Sequence, residues 1–218
     1  GLHIQGVLQS AADKKLTVLA NACTAMQNVS IKGQNAVSVD LVFEATSCTS
    51  ITSDNFLDRL IIGYARTAIV NLPALTTYSP NTYNLVAKVG SLTQLTLTSL
   101  QSTLKMSGVG INCNIDLPAI TGDLNFANCT GSITNLSAYK PSSISIAGLL
   151  NLKNLILRNL SAPSVTSTSF GSSASNYTGY TNRAAGTNAL IVPSTATGFD
   201  TGYWVSPLCD ANCGGFTL

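Results

Sequence analysis

The feature that most constrains this chain is short-range internal repetition, because a chain that repeats must fold as stacked copies of one unit. The segments LDRLIIGYA from Leu57, LTQLTLTSL from Leu92 and LKNLILRNL from Leu152 follow the template L-x-x-L-x-L-x-x-(L/A). Weaker copies begin at Ala25 (AMQNVSIKG) and Ser132 (SITNLSAYK). The central L-x-L alternates with period two, as a short strand with one buried face requires. In the second copy this places Leu95 and Leu97 inside and Thr96 outside. The three best copies start 35 and 60 residues apart, which suits units of about 20 to 35 residues with degenerate copies between them.

A second recurring element precedes some of these strands. Cys23, Cys48 and Cys129 are each followed by Thr and then, within a few residues, by Met26, Ile51 or Ile133. A small apolar thiol at a fixed repeat position reads as a core-facing filler under a turn, with a disulfide framework as the alternative. Between Ile115 and Leu157 the apolar pairs Ile115/Leu117, Leu124/Phe126, Ile133/Leu136, Ile144/Ile146 and Leu155/Leu157 recur every nine to eleven residues. Strands are therefore expected on more than one face of each coil, joined by short 3₁₀ turns rather than full helices. Two helical windows compete with this: Ser10 to Ala25, with Leu16, Leu19 and Ala20 opposite lysines, and a stretch from Asp54 toward Ala68. At the second window the repeat is preferred.

The expected architecture is a single β-rich solenoid over 1–218. Repeats fill 1–160, a Ser/Thr/Gly/Asn-rich loop fills 161–188, and a terminal cap fills 189–218. Composition agrees, since 45% of the chain is hydrophobic and only 9% is charged, against about 25% in an average soluble protein. A net charge of +2 from 11 scattered basic residues supplies no phosphate-neutralising stripe, so nucleic acid is not an expected partner. No apolar run approaches the ~18 residues of a transmembrane helix. Gly1 reads as a remnant of tag removal, with any export signal or lipid anchor expected to have been removed.

The combination of C-T-x-(L/M/I) with L-x-L, Leu190-Ile191-Val192-Pro193 and the closing Tyr203-Trp204 resembles the BspA-like leucine-rich repeat proteins of gut and oral bacteria and some of their phages. The usual Phe before the repeat cysteine is missing at Ala20, and the repeats between Leu100 and Ile146 are shortened. The resemblance implies a right-handed curved leucine-rich repeat solenoid with short 3₁₀ or helical convex segments, no cofactor, and adhesion or recognition at a cell or virion surface.

Catalytic chemistry has little to start from. His3 is the one histidine, so histidine-dependent triads and metal sites are not expected. Asp116 and Asp123 lie about one short coil apart and could stack on one face as a carboxylate pair, although solvated carboxylates are the plainer reading. Cys209 and Cys213 could close a short disulfide loop pinning the cap, and without further ligands they do not make a zinc site. The binding surface expected from strand alternation comprises Asn28, Ser30, Lys32, Arg59, Ile61, Gln94, Thr96, Thr98, Asn154, Ile156 and Arg158. That row suits a host or neighbouring-cell protein or glycan, with a merely solvated sheet face as the alternative. Tyr177, Tyr180, Tyr203 and Trp204 could offer an aromatic platform, or plug the open end of the last coil. The expected function is non-enzymatic recognition or adhesion, extracellular or at a cell surface. A structural segment of a fibre or envelope assembly is the alternative, ahead of a carbohydrate-active enzyme.

Overall fold

The computed structural model describes residues 3–5, 14–33, 39–53, 61–80, 83–139, 141–142, 144–148, 150–157, 189–191 and 207–208. In chain order the strands are β1 (His3–Gln5), β2 (Lys14–Leu19), β3 (Ala25–Gln27), β4 (Ser30–Lys32), β5 (Val39–Glu44), β6 (Ser50–Thr52), β7 (Ile61–Asn71), β8 (Thr77–Tyr78) and β9 (Val86–Thr96). They continue as β10 (Leu104–Ser107), β11 (Gly110–Ile111), β12 (Ile115–Leu117), β13 (Leu124–Ala138), β14 (Ile144–Gly148), β15 (Asn151–Leu157), β16 (Ala189–Ile191) and β17 (Pro207–Leu208). Strands pair in parallel between successive coils, as β4 with β7, β7 with β9, β10 with β13 and β13 with β15. The molecule is a parallel β-solenoid.

Each coil has three faces. On the first, β1, β4, the start of β7, the start of β9, β10, the start of β13 and β14 stack in that order. The second runs from β2 and β5 through the later parts of β7 and β9, then β11 and β12, to the later part of β13 and on to β15, β16 and β17. The third holds β3, β6 and β8. It continues as single backbone bonds from Gln101 N–H to Thr76 O, Thr121 N–H to Gln101 O and Ser142 N–H to Gly122 O.

The corner between the second and third faces shows why the sequence coils. Ala20 and Cys23, Ala45 and Cys48, Leu72 and Leu75, Leu97 and Leu100, and Leu117 and Ile120 each close a tight turn. In each turn the N–H of the later residue donates to the carbonyl of the earlier one at 3.0 to 3.3 Å. From Ala45 onward these side chains are buried in the lumen. The next residue stacks on its counterpart one coil away, and the Thr49, Thr76 and Thr121 hydroxyls donate to the carbonyls of Thr24, Thr49 and Gln101. The coil lengths at this corner are 25, 27, 25 and then 20 residues.

This geometry sorts the sequence expectations. Leu95 and Leu97 are buried and Thr96 is half-buried, as alternation required. Apolar pairs spaced about ten residues apart alternate between two faces: Leu124 and Phe126 register with Ile144 and Ile146, whereas Leu136 registers with both Ile115 and Leu155. The Leu57 copy is out of phase with the others, because Leu92 stands over Ala68 while Ile62 pairs with Val86. Cys129 departs from the cysteine motif, lying within β13 opposite Gly148 rather than at the corner of Cys23 and Cys48. No helix occurs among the described residues, and the window at Lys14–Leu19 is a strand. Its Lys15-Leu16-Thr17-Val18 run alternates, and in-register pairing with Val39–Glu44 outweighs a short amphipathic pattern. Residues 161–188, the expected loop, lie outside the described residues, while β16 and β17 continue the second face.

Alternation gives a direct test on β9. Leu95→Ala is expected to cost toward the low end of about 2 to 5 kcal/mol in denaturant unfolding, because Leu95 is 7% exposed. Thr96→Ala should cost under about 0.5 kcal/mol. Equal losses would contradict the register.

Candidate functional site

The corner between the first and second faces turns on a single left-handed residue. Tyr64 (φ 52°), Lys88 (φ 51°), Gly108 (φ 63°) and Asn128 (φ 55°) occupy this position in successive coils. Their neighbours fix the register: Ala65 pairs with Val89, Gly110 with Thr130, and Ser107 with both Ala87 and Ala127. Glycine and asparagine adopt this conformation readily, whereas for Tyr64 and Lys88 it costs on the order of 1 kcal/mol each. Because the backbone bends without breaking, β7, β9 and β13 each run through the corner as one strand.

Beyond this corner, alternation sets a grid of outward positions. Lys88, Gly108 and Asn128, all exposed, form one row; next to it lie exposed Gly90 and Thr130, with buried Gly110 between them, paired with Thr130 and packed on the Gly90 carbonyl. Three neighbouring positions lack side chains, and beside them lies an open hollow of about 360 Å³. Lys88 borders it at one end, and Asn128 and Thr130, both exposed, at the other.

Cations from successive coils meet on one side of the hollow. The ammonium groups of Lys32 and Lys88 lie 5.6 and 5.0 Å from the centre of the Tyr64 ring, within the range of cation–π attraction. Arg66, one position past Ala65, is held by Asp40: its Nε donates to Oδ1 at 3.0 Å and its terminal nitrogen to Oδ2 at 2.6 Å. Thr67 Oγ1 donates to the same carboxylate at 2.7 Å. These bonds, led by the Arg66 guanidinium, hold the Asp40 carboxyl below its ordinary value, so it is ionised at neutral pH. Arg66 is thus paired with Asp40, while Lys32 and Lys88 bring their charge to the Tyr64 ring.

The residues expected to bind a ligand do not form one surface. Ser30 is buried, 1% exposed, and its Oγ has no hydrogen-bond partner among the described residues; a short side chain flanked in register by His3 and Ile61 does not reach solvent. Asn28 sits at a different corner with φ 55°, and Lys32 belongs to the first face beside Tyr64. Gln94 and Thr96 lie on the second face, where Gln94 Nε2 donates to Thr96 Oγ1 at 3.5 Å. Thr98 donates to the Pro73 carbonyl. Asn154 and Ile156 are on that same face, registered with Asn135 and Ser137. Ile61 is placed by its backbone pairing with Ser30, and Arg59 and Arg158 lie outside the described residues. Sequence reasoning missed the Tyr64 and Lys88 corner, because neither residue type announces a left-handed turn. The repeated glycines at Gly90, Gly108 and Gly110 were the available signal.

Asp116 and Asp123 do not stack. Asp116 registers with Ser137 on the second face, whereas Asp123 precedes the first face, where its N–H donates to Thr103 Oγ1 and its Oδ1 accepts from Ser142. The described residues contain no group of three His, Cys, Asp or Glu able to hold a metal ion. The described cysteines, Cys23, Cys48, Cys113 and Cys129, are free thiols, and the Cys209 and Cys213 pair lies outside the described residues. Burial pushes the Cys48 thiol up, and the Cys113 and Cys129 thiols up to about 11. Shielded from reagent by burial, Cys48 and Cys129 should resist iodoacetamide in the folded chain while exposed Cys23 reacts, as mass spectrometry would show. The sign for stability follows: the contribution of these buried neutral thiols is fully present below the unfolded thiol value near 9 and is lost as pH rises toward 11. Labelling of Cys48 as fast as Cys23 would contradict the packed corner.

Compared with protein-family models, curated proteins and solved structures, the chain matches none of them. What the fold and the site define is a class: a parallel β-solenoid with a glycine hollow and a basic rim at one corner.

Proposed function

We propose that this chain is a non-enzymatic recognition module, working outside the cell or at a cell surface, that holds a protein or glycan against the outward positions of its stacked coils. The observation that carries the reading is the grid around Gly108, where in-register stacking brings together side chains about twenty residues apart in sequence and leaves a hollow between them. A solenoid backbone holds such a grid rigid, so little conformational freedom is lost when a ligand docks. The composition supports the same reading, since a surface of Ser, Thr, Asn and Gly with little charge offers donors and acceptors to hydroxyl-rich or peptide ligands. The resemblance to BspA-like leucine-rich repeats points the same way.

The test is binding of the purified chain to a glycan array and to cell-surface extracts, with light scattering to record its mass. Specific binding by a monodisperse chain is expected. Absence of binding together with concentration-dependent multimers would replace this reading with that of a structural segment in a fibre or envelope.

A further inference from the structure

We propose that the glycine hollow at the first corner binds an acidic sugar chain, with Lys88 and Lys32 meeting its carboxylate or sulfate groups and Asn128 and Thr130 meeting its hydroxyls. The inference rests on the recognition reading above and deepens it by naming the site and the ligand class.

Three independent observations converge on this corner. The first is charge. Two ammonium groups, those of Lys32 and Lys88, are gathered at one tyrosine ring. Mutual repulsion makes such an arrangement unfavourable unless an anion offsets it. The chain as a whole carries only +2, so two ammonium groups meeting at one ring is a property of the corner and not of the composition.

The second is shape. With Gly90, Gly108 and Gly110 side by side, a ring can lie directly on the backbone. Gly110 is also demanded by packing, because a Cβ there would sit on the Gly90 carbonyl oxygen. Gly108 is not: a Cβ there meets nothing closer than 3.6 Å, and its counterparts in the adjacent coils are Lys88 and Asn128. Glycine at Gly108 suits the left-handed backbone, but packing does not demand the hollow there.

The third is the chemistry and spacing of the rim. Asn128 and Thr130 can both donate and accept hydrogen bonds, which matches sugar hydroxyls. Successive coils are about 4.8 Å apart, close to the length of one pyranose ring, so a sugar chain running along the solenoid axis meets one row of side chains per residue. An extended peptide advances about 3.3 Å per residue and does not keep this step, so an acidic glycan fits better than an acidic peptide.

The experiment measures affinity of the full chain by calorimetry for four probes: oligogalacturonate and heparin-derived oligosaccharides as acidic sugars, cello-oligosaccharides as neutral sugars, and poly-glutamate as an acidic peptide. Two variants keep the left-handed backbone. Lys88→Asn removes the charge, and Gly108→Asn fills the hollow with a residue that tolerates this conformation. Each should leave the thermal midpoint within a few degrees of the parent and weaken acidic-sugar binding by about tenfold or more, the loss expected for one charge-assisted hydrogen bond. Lys88→Arg should retain most of the affinity, and binding should fall as salt is added. Equal affinity for the neutral sugar, preference for poly-glutamate, or full affinity in both Asn variants would overturn this inference while leaving the recognition reading standing. Multimers that bind none of the probes or surface extracts would overturn both.

Discussion

Replacing Phe126 with alanine is expected to destabilise the chain by about 3 to 5 kcal/mol and to lower its thermal midpoint by roughly 10 °C. Phe126 is fully buried on the first face, in register with Met106 of the preceding coil, which is itself in register with Val86. The three side chains fill consecutive levels of the lumen, so removing the ring opens a cavity that neighbours held by β-ladders on both sides cannot collapse to fill. Because each coil contacts chiefly its neighbours, part of the loss should show as early unfolding of the coils around Phe126 rather than as a uniform shift. Hydrogen exchange would show this as faster exchange across β10 and β13 than across β5. Phe126→Leu should recover most of the stability.

The second large effect is expected at a residue with no side chain. Gly110→Ala would place its methyl on the carbonyl oxygen of Gly90 and 3.1 Å from the carbonyl carbon. Relief requires β11 to move away from β9, yet β11 is tied to β13 on its other side. The expected cost is at least about 3 kcal/mol, at the severe end of overpacking. Gly108, two residues earlier, provides the control. Its surroundings are open, so Gly108→Ala should cost only the roughly 1 kcal/mol of a left-handed non-glycine residue. Urea unfolding of both variants separates the two causes, and a cost at Gly110 no greater than at Gly108 would contradict the close approach of the coils.

Much of the architecture was legible in the sequence because a solenoid repeats its interior. Period-two alternation at Leu95, Thr96 and Leu97, and the ten-residue spacing of apolar pairs after Ile115, are direct consequences of two faces per short coil. The phase of the repeat was harder. The leucine template at Leu57 matches by composition, but Ile62 and Leu92 stack in different places, since any buried strand offers similar leucines. The more reliable marker was the near-identical pair Leu72-Pro73-Ala74-Leu75-Thr76 and Leu117-Pro118-Ala119-Ile120-Thr121, which the leucine template passed over and which marks the same corner in two coils. Cys48 was placed correctly as a filler under that turn because it stands where Leu75 and Leu100 stand in later coils. Cys129 was misplaced because a Cys-Thr dipeptide also suits the inside and outside positions of an ordinary strand.

The candidate site was less legible, for a physical reason. Outward residues were read from alternation alone, and alternation says nothing about which coils lie side by side. Tyr64, Lys88 and Asn128 become neighbours only through the register of β7, β9 and β13, and Ser30 loses its access to solvent through the same stacking.

One measurement addresses both the stacking and the site it creates: an amide-resolved NMR titration of the chain with an acidic oligosaccharide. The account predicts shifts clustered at Tyr64, Lys88, Gly108, Gly110, Asn128 and Thr130, which are neighbours only if the coils stack as described. Shifts confined to one continuous segment, or centred on Gln94 and Asn154 of the second face, would contradict it.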